Sequence, residues 1–416
     1  MGSRRLNGWI ALILALAVSS YALSYVIHFP DIPGNIYSDI VSFYFRDPLI
    51  KDVKIPYIEL DFEYPPLAGL MVYLAAVIGR GELVPYYIAI STMLFVFYIV
   101  LVLTVTMILL ERSCSKLYLF IFLIFAPSII VYGNYNFDIA FTALLMLSIW
   151  IFEKGKLRTS ALLFSAAMLT KLVNVILLPF LLLRIQGWKR RAYYLLYVIL
   201  PFTIVNLVLL FLNPKFIDGT YFYHARWGLE NAWYVYLFPS PDSWNAAKIF
   251  GALLMAYGLI KVYLCEVRDI YLESFMLLSV FLLASYIFTP QMVIFILPFL
   301  AILNYFPTAF IAFEPANVGI ILTWFLAENP IAPGSMPQNL ALIRAIALFF
   351  MLIEVYFRYR GTRSFREYFM PTVKQAIQTT EANPNTIRVS QERTPGTTPP
   401  EQVLRHKARI QISCHR

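Results

Sequence analysis

The sequence predicts an all-α, polytopic membrane protein, and three observations carry that expectation. Only 14% of the 416 residues are charged and 60% are hydrophobic, whereas a soluble domain carries roughly 25% charge. The apolar residues gather in long runs. About twenty such residues make a helix that crosses a bilayer, where every backbone N–H and C=O must be satisfied within the helix itself. Basic residues collect in short connections between the runs, as cytoplasmic loops do.

The first run, Trp9 to Phe29, follows Arg4 and Arg5 and lacks a small-residue cleavage pattern. It reads as a retained first helix with its N-terminus in the cytoplasm. Twelve runs follow, at 65–79, 85–110, 117–133, 136–152, 159–171, 172–186, 192–212, 246–264, 271–288, 290–306, 308–327 and 340–357. The connections Glu111–Lys116, Glu153–Arg158 and Arg184–Arg191 are basic and read as cytoplasmic. They share a side with Arg4 and Arg5 only if 65–79, which is short and begins Tyr64-Pro65-Pro66, re-enters or lies on the outer side; proline suits such a helix start because its missing N–H costs nothing there. About twelve spanning helices then remain. Residues 1–360 form the transmembrane domain, with outer loops at 30–64 and 213–245. The turn Asn134–Asp138, the loop Glu328–Asn339 and the breaks at Thr170-Lys171 and Thr289-Pro290-Gln291 fall on the same outer side.

The net charge of +9 is mostly a tail property, because residues 358–416 hold eleven Arg and Lys against four Glu. A basic tail suits the cytoplasm and anionic membrane lipid, and argues against a nucleic-acid partner. Residues 361–416 read as a largely disordered cytoplasmic tail rich in Thr, Pro and Gln. Cys114, Cys265 and Cys414 are widely spaced, so no disulfide framework or zinc site is expected. The chain has no HExxH pair and no glycine-lysine phosphate loop, which argues against zinc-protease chemistry and direct ATP use.

Candidate chemistry concentrates outside. The first loop carries Asp31, Asp39, Asp47, Asp52 and Glu59, then Asp61 and Glu63. Asp39 sits among apolar and aromatic neighbours in Ile36-Tyr37-Ser38-Asp39-Ile40, where partial burial strengthens a carboxylate as a base; a helix cap is the alternative reading. Asp138 follows Asn134-Tyr135-Asn136-Phe137 at the start of an apolar run. It serves either the site or the cap of that helix. Lys171 interrupts an apolar stretch, Leu169-Thr170-Lys171-Leu172, and a cation there needs a partner, a phosphate or a route to the interface. In the second loop, Tyr221-Phe222-Tyr223-His224-Ala225-Arg226-Trp227-Gly228, then Glu230 and Asn231, combines donors suited to phosphate with rings suited to a lipid chain or a sugar face; an interfacial aromatic belt is the alternative reading.

In order and spacing, these pieces resemble a membrane-embedded glycosyltransferase of the GT-C superfamily, specifically the polyprenyl-phosphate-mannose-dependent group. The resemblance covers about residues 9–360. It rests on Tyr37-Ser38-Asp39, Phe62-Glu63-Tyr64-Pro65-Pro66-Leu67, Gly133 to Asp138, Thr170-Lys171 before Pro179, the His224–Glu230 cluster, and Phe288-Thr289-Pro290-Gln291-Met292 before Leu297-Pro298.

The resemblance implies a GT-C-like helical bundle that transfers a hexose, mannose first, from a polyprenyl- or dolichyl-phosphate sugar to a lipid-linked or glycan acceptor on the non-cytoplasmic face. Asp39 takes the catalytic base, with Asp61 and Glu63 as alternatives. Asp138 takes the second acidic position, for which Asn134 and Asn136 compete. Donor-phosphate or substrate contacts fall to Lys171, His224, Arg226, Glu63, Tyr64, Asn134, Asn136 and Gln291. A one-step displacement inverts the sugar centre and needs no acid on the phosphate leaving group. A divalent metal is compatible with this chemistry, but no ligand set compels one. A multispan transporter of lipid or polyol is the alternative, since broken helices and an intramembrane lysine also suit transport.

Overall fold

The computed structural model describes residues 3–46 and 48–360. Asp47 and the tail expected at 361–416 lie outside the described residues. Those described form helices and no strand, apart from isolated bridges pairing Pro56 with Leu60 and Glu230 with Ile287.

Helix α1 spans Ser3–Ile27, and the first loop then carries two short helices, α2 at Asp39–Arg46 and α3 at Pro48–Lys51. Helix α4, Pro66–Gly79, starts at the double proline and precedes α5, Leu83–Glu111. The run expected at 117–133 is broken: α6, Leu117–Leu119, passes into a wide-turned segment, Phe120–Ile124, and α7 restarts at Pro127–Tyr132. Helices α8, Asp138–Glu153, and α9, Leu157–Met168, form a hairpin. A 3₁₀ stretch, Leu172–Leu177, leads into α10, Leu178–Arg184, and α11 follows at Trp188–Leu212.

The second loop holds α12, Phe216–Thr220, and leads to α13, Trp244–Leu264, and α14, Ile270–Ala284. The 3₁₀ turns Pro290–Phe295 precede α15, Leu297–Leu303; α16, Phe310–Trp324, and α17, Met336–Tyr359, complete the bundle. Prolines in the first turns of α7, α10 and α15 explain why three apolar runs are split, because an N–H lost there costs least at a fresh helix start.

Among the described residues, five helices are long and apolar enough to cross a membrane: Gly8–Ile27, Leu83–Glu111, Trp188–Leu212, Pro241–Leu264 and Met336–Tyr359. The other apolar helices run to 10–17 residues, Pro66–Gly79 among them. This is fewer full-length crossings than the twelve expected from the runs, because the runs are divided by proline and by tight turns.

The connections read as cytoplasmic share one end of the bundle. Arg112 pairs with Asp269 at 2.7 Å and Glu153 at 3.2 Å, Lys154 with Glu111 at 2.6 Å, and Arg184 with Glu273 at 2.7 Å. The 16 residues of α8 separate Glu153 from Asp138, so the outer-side candidates lie at the opposite end.

Two polar nodes inside the bundle fix that opposite end. Asn134, fully buried, donates to Tyr87 at 2.7 Å and Ser91 at 3.0 Å and accepts from Tyr21 at 2.9 Å, which ties the 134–138 turn to α1 and α5. Arg344, also fully buried, donates to the Asn317 side chain at 2.9 Å and to the carbonyls of Asn231 at 3.1 Å and Phe288 at 2.5 Å, with its guanidinium over the Phe288 ring. Asn317 in turn donates to Ser128 and to the Pro290 carbonyl. The first loop is clasped to α4 by Tyr57, whose hydroxyl lies 2.7 Å from the Tyr64 carbonyl and accepts from Gly69 N–H at 3.1 Å. Gly69 permits this approach, because a Cβ there would collide with the Tyr57 hydroxyl.

Candidate active site

A cavity of about 660 Å³ opens at the end of the bundle opposite the basic connections. Asp39, Arg46, Glu63, Tyr64, Lys171, His224, Glu230 and Gln291 line its polar part. Val173, Ile176, Phe281, Ile320, Ile321 and Phe325 line its apolar part. A second hollow of about 610 Å³, walled by α13, α14 and α17, has Lys261 as its charged member. It lacks the convergent polar groups that chemistry on a sugar needs.

Asp39 is the first residue of α2, an amphipathic turn-pair that buries Ile40 and Phe43. Ser38 Oγ stands 3.4 Å from Val41 N in the capping position, and the Asp39 carboxylate turns to the cavity. Its Oδ2 accepts from Asn136 Nδ2 at 2.6 Å, and Gln291 Nε2 lies 3.5 Å away. Burial pushes the Asp39 carboxyl up to about 7, against the Asn136 hydrogen bond and the Lys171 charge and with the Glu63 charge. A group with that midpoint is a base at neutral pH that can also release its proton again.

Asn136 gives its second N–H to the Tyr64 hydroxyl at 2.7 Å, so one amide orients both a carboxylate and a phenol. Tyr64 lies between the His224 ring, 5.6 Å away, and the Lys171 ammonium, 5.6 Å from its ring centre. Glu63 is clamped through both oxygens by Arg46, at 3.2 and 3.0 Å. Asn134, two residues before Asn136, stays in the core.

Lys171 stands in extended backbone between α9 and the 3₁₀ turns. That break in helical geometry lets its side chain reach Asp138 Oδ1 at 2.7 Å while it still lines the cavity. Asp138 itself is fully buried, with no partner for Oδ2 among the described residues. The two charges offset each other's burial; removing one partner of such a pair costs about 3–5 kcal/mol.

The second loop divides its candidates. His224 faces the cavity, with its ring against Tyr64, Tyr223 and Trp227. Its pKa is lowered to about 4 by burial and then by the Lys171 and Arg46 charges, so at neutral pH it donates and accepts as an uncharged ring. Arg226 instead leaves the cavity, exposed and paired with Asp218 of α12.

Two cavity residues were given no role of their own from the sequence. Arg46 is seven residues after Asp39 on α2, a spacing that puts both on one helix face. Glu230 lies in the quoted His224–Glu230 cluster. Its N–H donates to Tyr286 O at 3.0 Å and its carbonyl accepts from Phe288 N at 2.9 Å. Burial, and then the Asp39 charge, push its carboxyl up to about 7. Among the described residues no group of three His, Cys, Asp or Glu side chains is arranged to hold a metal ion.

No family model matches the chain, and no curated protein matches it. Two solved structures of ArnT from Cupriavidus metallidurans are similar to it. The one bound to undecaprenyl phosphate is 15% identical, covers 85% of this chain and 78% of its own, and has a TM-score of 0.43. The apo structure is 16% identical, covers 85% of this chain and 77% of its own, and has a TM-score of 0.44.

Proposed function

We propose that this protein is a multi-pass membrane glycosyltransferase that moves a hexose from a polyprenyl- or dolichyl-phosphate carrier to a hydroxyl of a lipid-linked or glycan acceptor. The sequence resemblance makes mannose the first donor sugar to test. The observation that carries the reading is a part-buried carboxylate, Asp39, aimed into a half-polar, half-apolar cavity and oriented by Asn136. In this reading the cavity faces the non-cytoplasmic side, both termini are cytoplasmic, and the short and broken helices complete about twelve spans.

The acceptor oxygen attacks the anomeric carbon as its proton passes to Asp39. The bond from that carbon to the phosphate oxygen breaks, and its electron pair leaves on the polyprenyl phosphate. Displacement from the face opposite the phosphate inverts the centre. Lys171 and Arg46, both lining the cavity, supply the positive field for the leaving phosphate. Neutral His224 and Tyr64 supply hydrogen bonds, and the apolar wall takes the start of the lipid chain.

Purified full-length protein, incubated with several polyprenyl-phosphate sugars and glycan acceptors, tests the reading by mass analysis of products. Asp39→Asn should lower turnover by about 10²–10⁴-fold with donor binding kept. Wild-type kcat/KM should fall about tenfold per pH unit below the Asp39 midpoint near 7, since only the ionised carboxylate accepts a proton. Full turnover by the Asn variant would reject Asp39 as the base.

A second reading, a carrier of lipid or polyol, is favoured by the helix breaks beside the buried Lys171–Asp138 pair. It predicts movement of substrate across vesicles with no new glycosidic bond.

A further inference from the structure

The charged groups of the cavity differ in what they already hold. Glu63 is clamped by Arg46, Lys171 by Asp138, and Asp39 accepts from Asn136. Glu230 lines the same cavity, yet among the described residues no hydrogen bond reaches its carboxylate. Its position is not loose, since its backbone is held on both sides by Tyr286 and Phe288. Two further lining residues, Asn231 and Gln291, carry buried amide atoms without a partner among the described residues, Nδ2 and Oε1, whereas Glu230 is only part-buried and keeps exposure to the cavity. Asn231 is fixed by a left-handed backbone, φ 54°, and by Arg344 on its carbonyl.

An acceptor, a donor and an acceptor left open along one wall make a specific chemical demand. Leaving buried amide atoms without partners is unfavourable. A hydrocarbon satisfies none of them. A phosphate accepts only, and satisfies the amide donor at best. A polyhydroxylated ring brings hydroxyls that each donate and accept, and meets all three.

We propose that Glu230, with Asn231 and Gln291, forms the subsite that receives the hydroxyl groups of the transferred sugar. This rests on the glycosyl-transfer reading and adds an orientation to it: the phosphate lies toward Lys171 and Arg46, the sugar toward Glu230, and the anomeric carbon lies between them beside Asp39.

Binding to the full chain in detergent separates this from a structural role, with two probes: a polyprenyl phosphate, and the same lipid phosphate bearing mannose or glucose. Glu230→Ala should weaken the glycosylated probe about tenfold or more, the scale of a hydrogen bond to a charged group, and change the bare lipid phosphate by less than about twofold. Glu230→Gln should fall between. Equal loss on both probes, or loss on neither, overturns the proposal.

Should the variants fold poorly, wild-type protein with deoxy-sugar probes decides. At least one deoxy probe should lose about tenfold in affinity, and an unchanged series overturns the subsite. Failure of the two readings is distinguishable. If Asp39→Asn abolishes transfer but the probes do not split, the subsite is wrong and transfer stands. If the probes split but wild type makes no glycoside, the subsite stands and the transfer reaction is wrong.

Discussion

Lys171 and Arg344 are both cations sunk in apolar stretches, and the chain treats them differently. Arg344 faces no carboxylate among the described residues and spreads its donors over two backbone carbonyls and an asparagine, with a phenyl ring beneath it. Lys171 is tied to one carboxylate and keeps a side on the cavity. The same division runs between Asn134, whose amide is met from both sides by the core, and Asn136, which holds Asp39. Arg344 and Asn134 bind groups of the fold, although Arg344 Nε is left without a partner among the described residues, whereas Lys171 lines the cavity and Asn136 holds a carboxylate that does.

The sharpest test of that division is Lys171→Met, expected to lower glycosyl transfer by about 10²–10³-fold, the scale of losing one preorganised charge on a developing anion. Its thermal shift should be partly recovered by adding Asp138→Asn, which removes the stranded charge, while activity stays low. Recovery of activity in the double variant would make Lys171 a structural cation like Arg344.

Arg344→Met should act in the opposite sense. It strands the Asn231 and Phe288 carbonyls and should destabilise the protein by about 3 kcal/mol, read as a lower melting transition in detergent. At saturating donor, kcat per folded molecule should stay within about threefold, a change of less than 1 kcal/mol in the barrier, while KM for the donor rises because the Asn231 carbonyl loses its anchor. A larger loss of turnover at full folding would move Arg344 into the site's machinery.

The smallest effect belongs to Arg226→Ala. Its partner is an exposed aspartate, and water screens such surface pairs so that they contribute little. Donor affinity and rate should stay within about twofold; a tenfold loss would bring the 224–226 turn into the cavity during the reaction.

Much of this arrangement was legible beforehand, for physical reasons. Long apolar runs can only be helices in a bilayer, and the grouping of 112, 154 and 184 at one end follows from their place between runs. A cation at 171 announced its own need for a partner. The proline breaks were visible as Pro127, Pro179 and Pro298, yet hydropathy alone joined the pieces on either side.

What could not be read depended on how loops fold back. Nothing local says that Arg226 turns to Asp218 while His224 turns inward, since both lie in one 3₁₀ turn. Arg344 was passed over inside the run 340–357, because its partners come from three distant segments. Arg46 could have been found from its seven-residue offset to Asp39, had 39–46 been taken as a helix rather than as loop.

The Asp39 and Glu230 carboxyls share a cavity and a midpoint near 7, and that has a consequence for any anionic ligand. Negative charge arriving beside them favours the protonated forms, which silences Asp39 as a base unless the Lys171 and Arg46 charges answer the phosphate. Occupancy is thereby linked to the acidity of the compartment onto which the cavity opens.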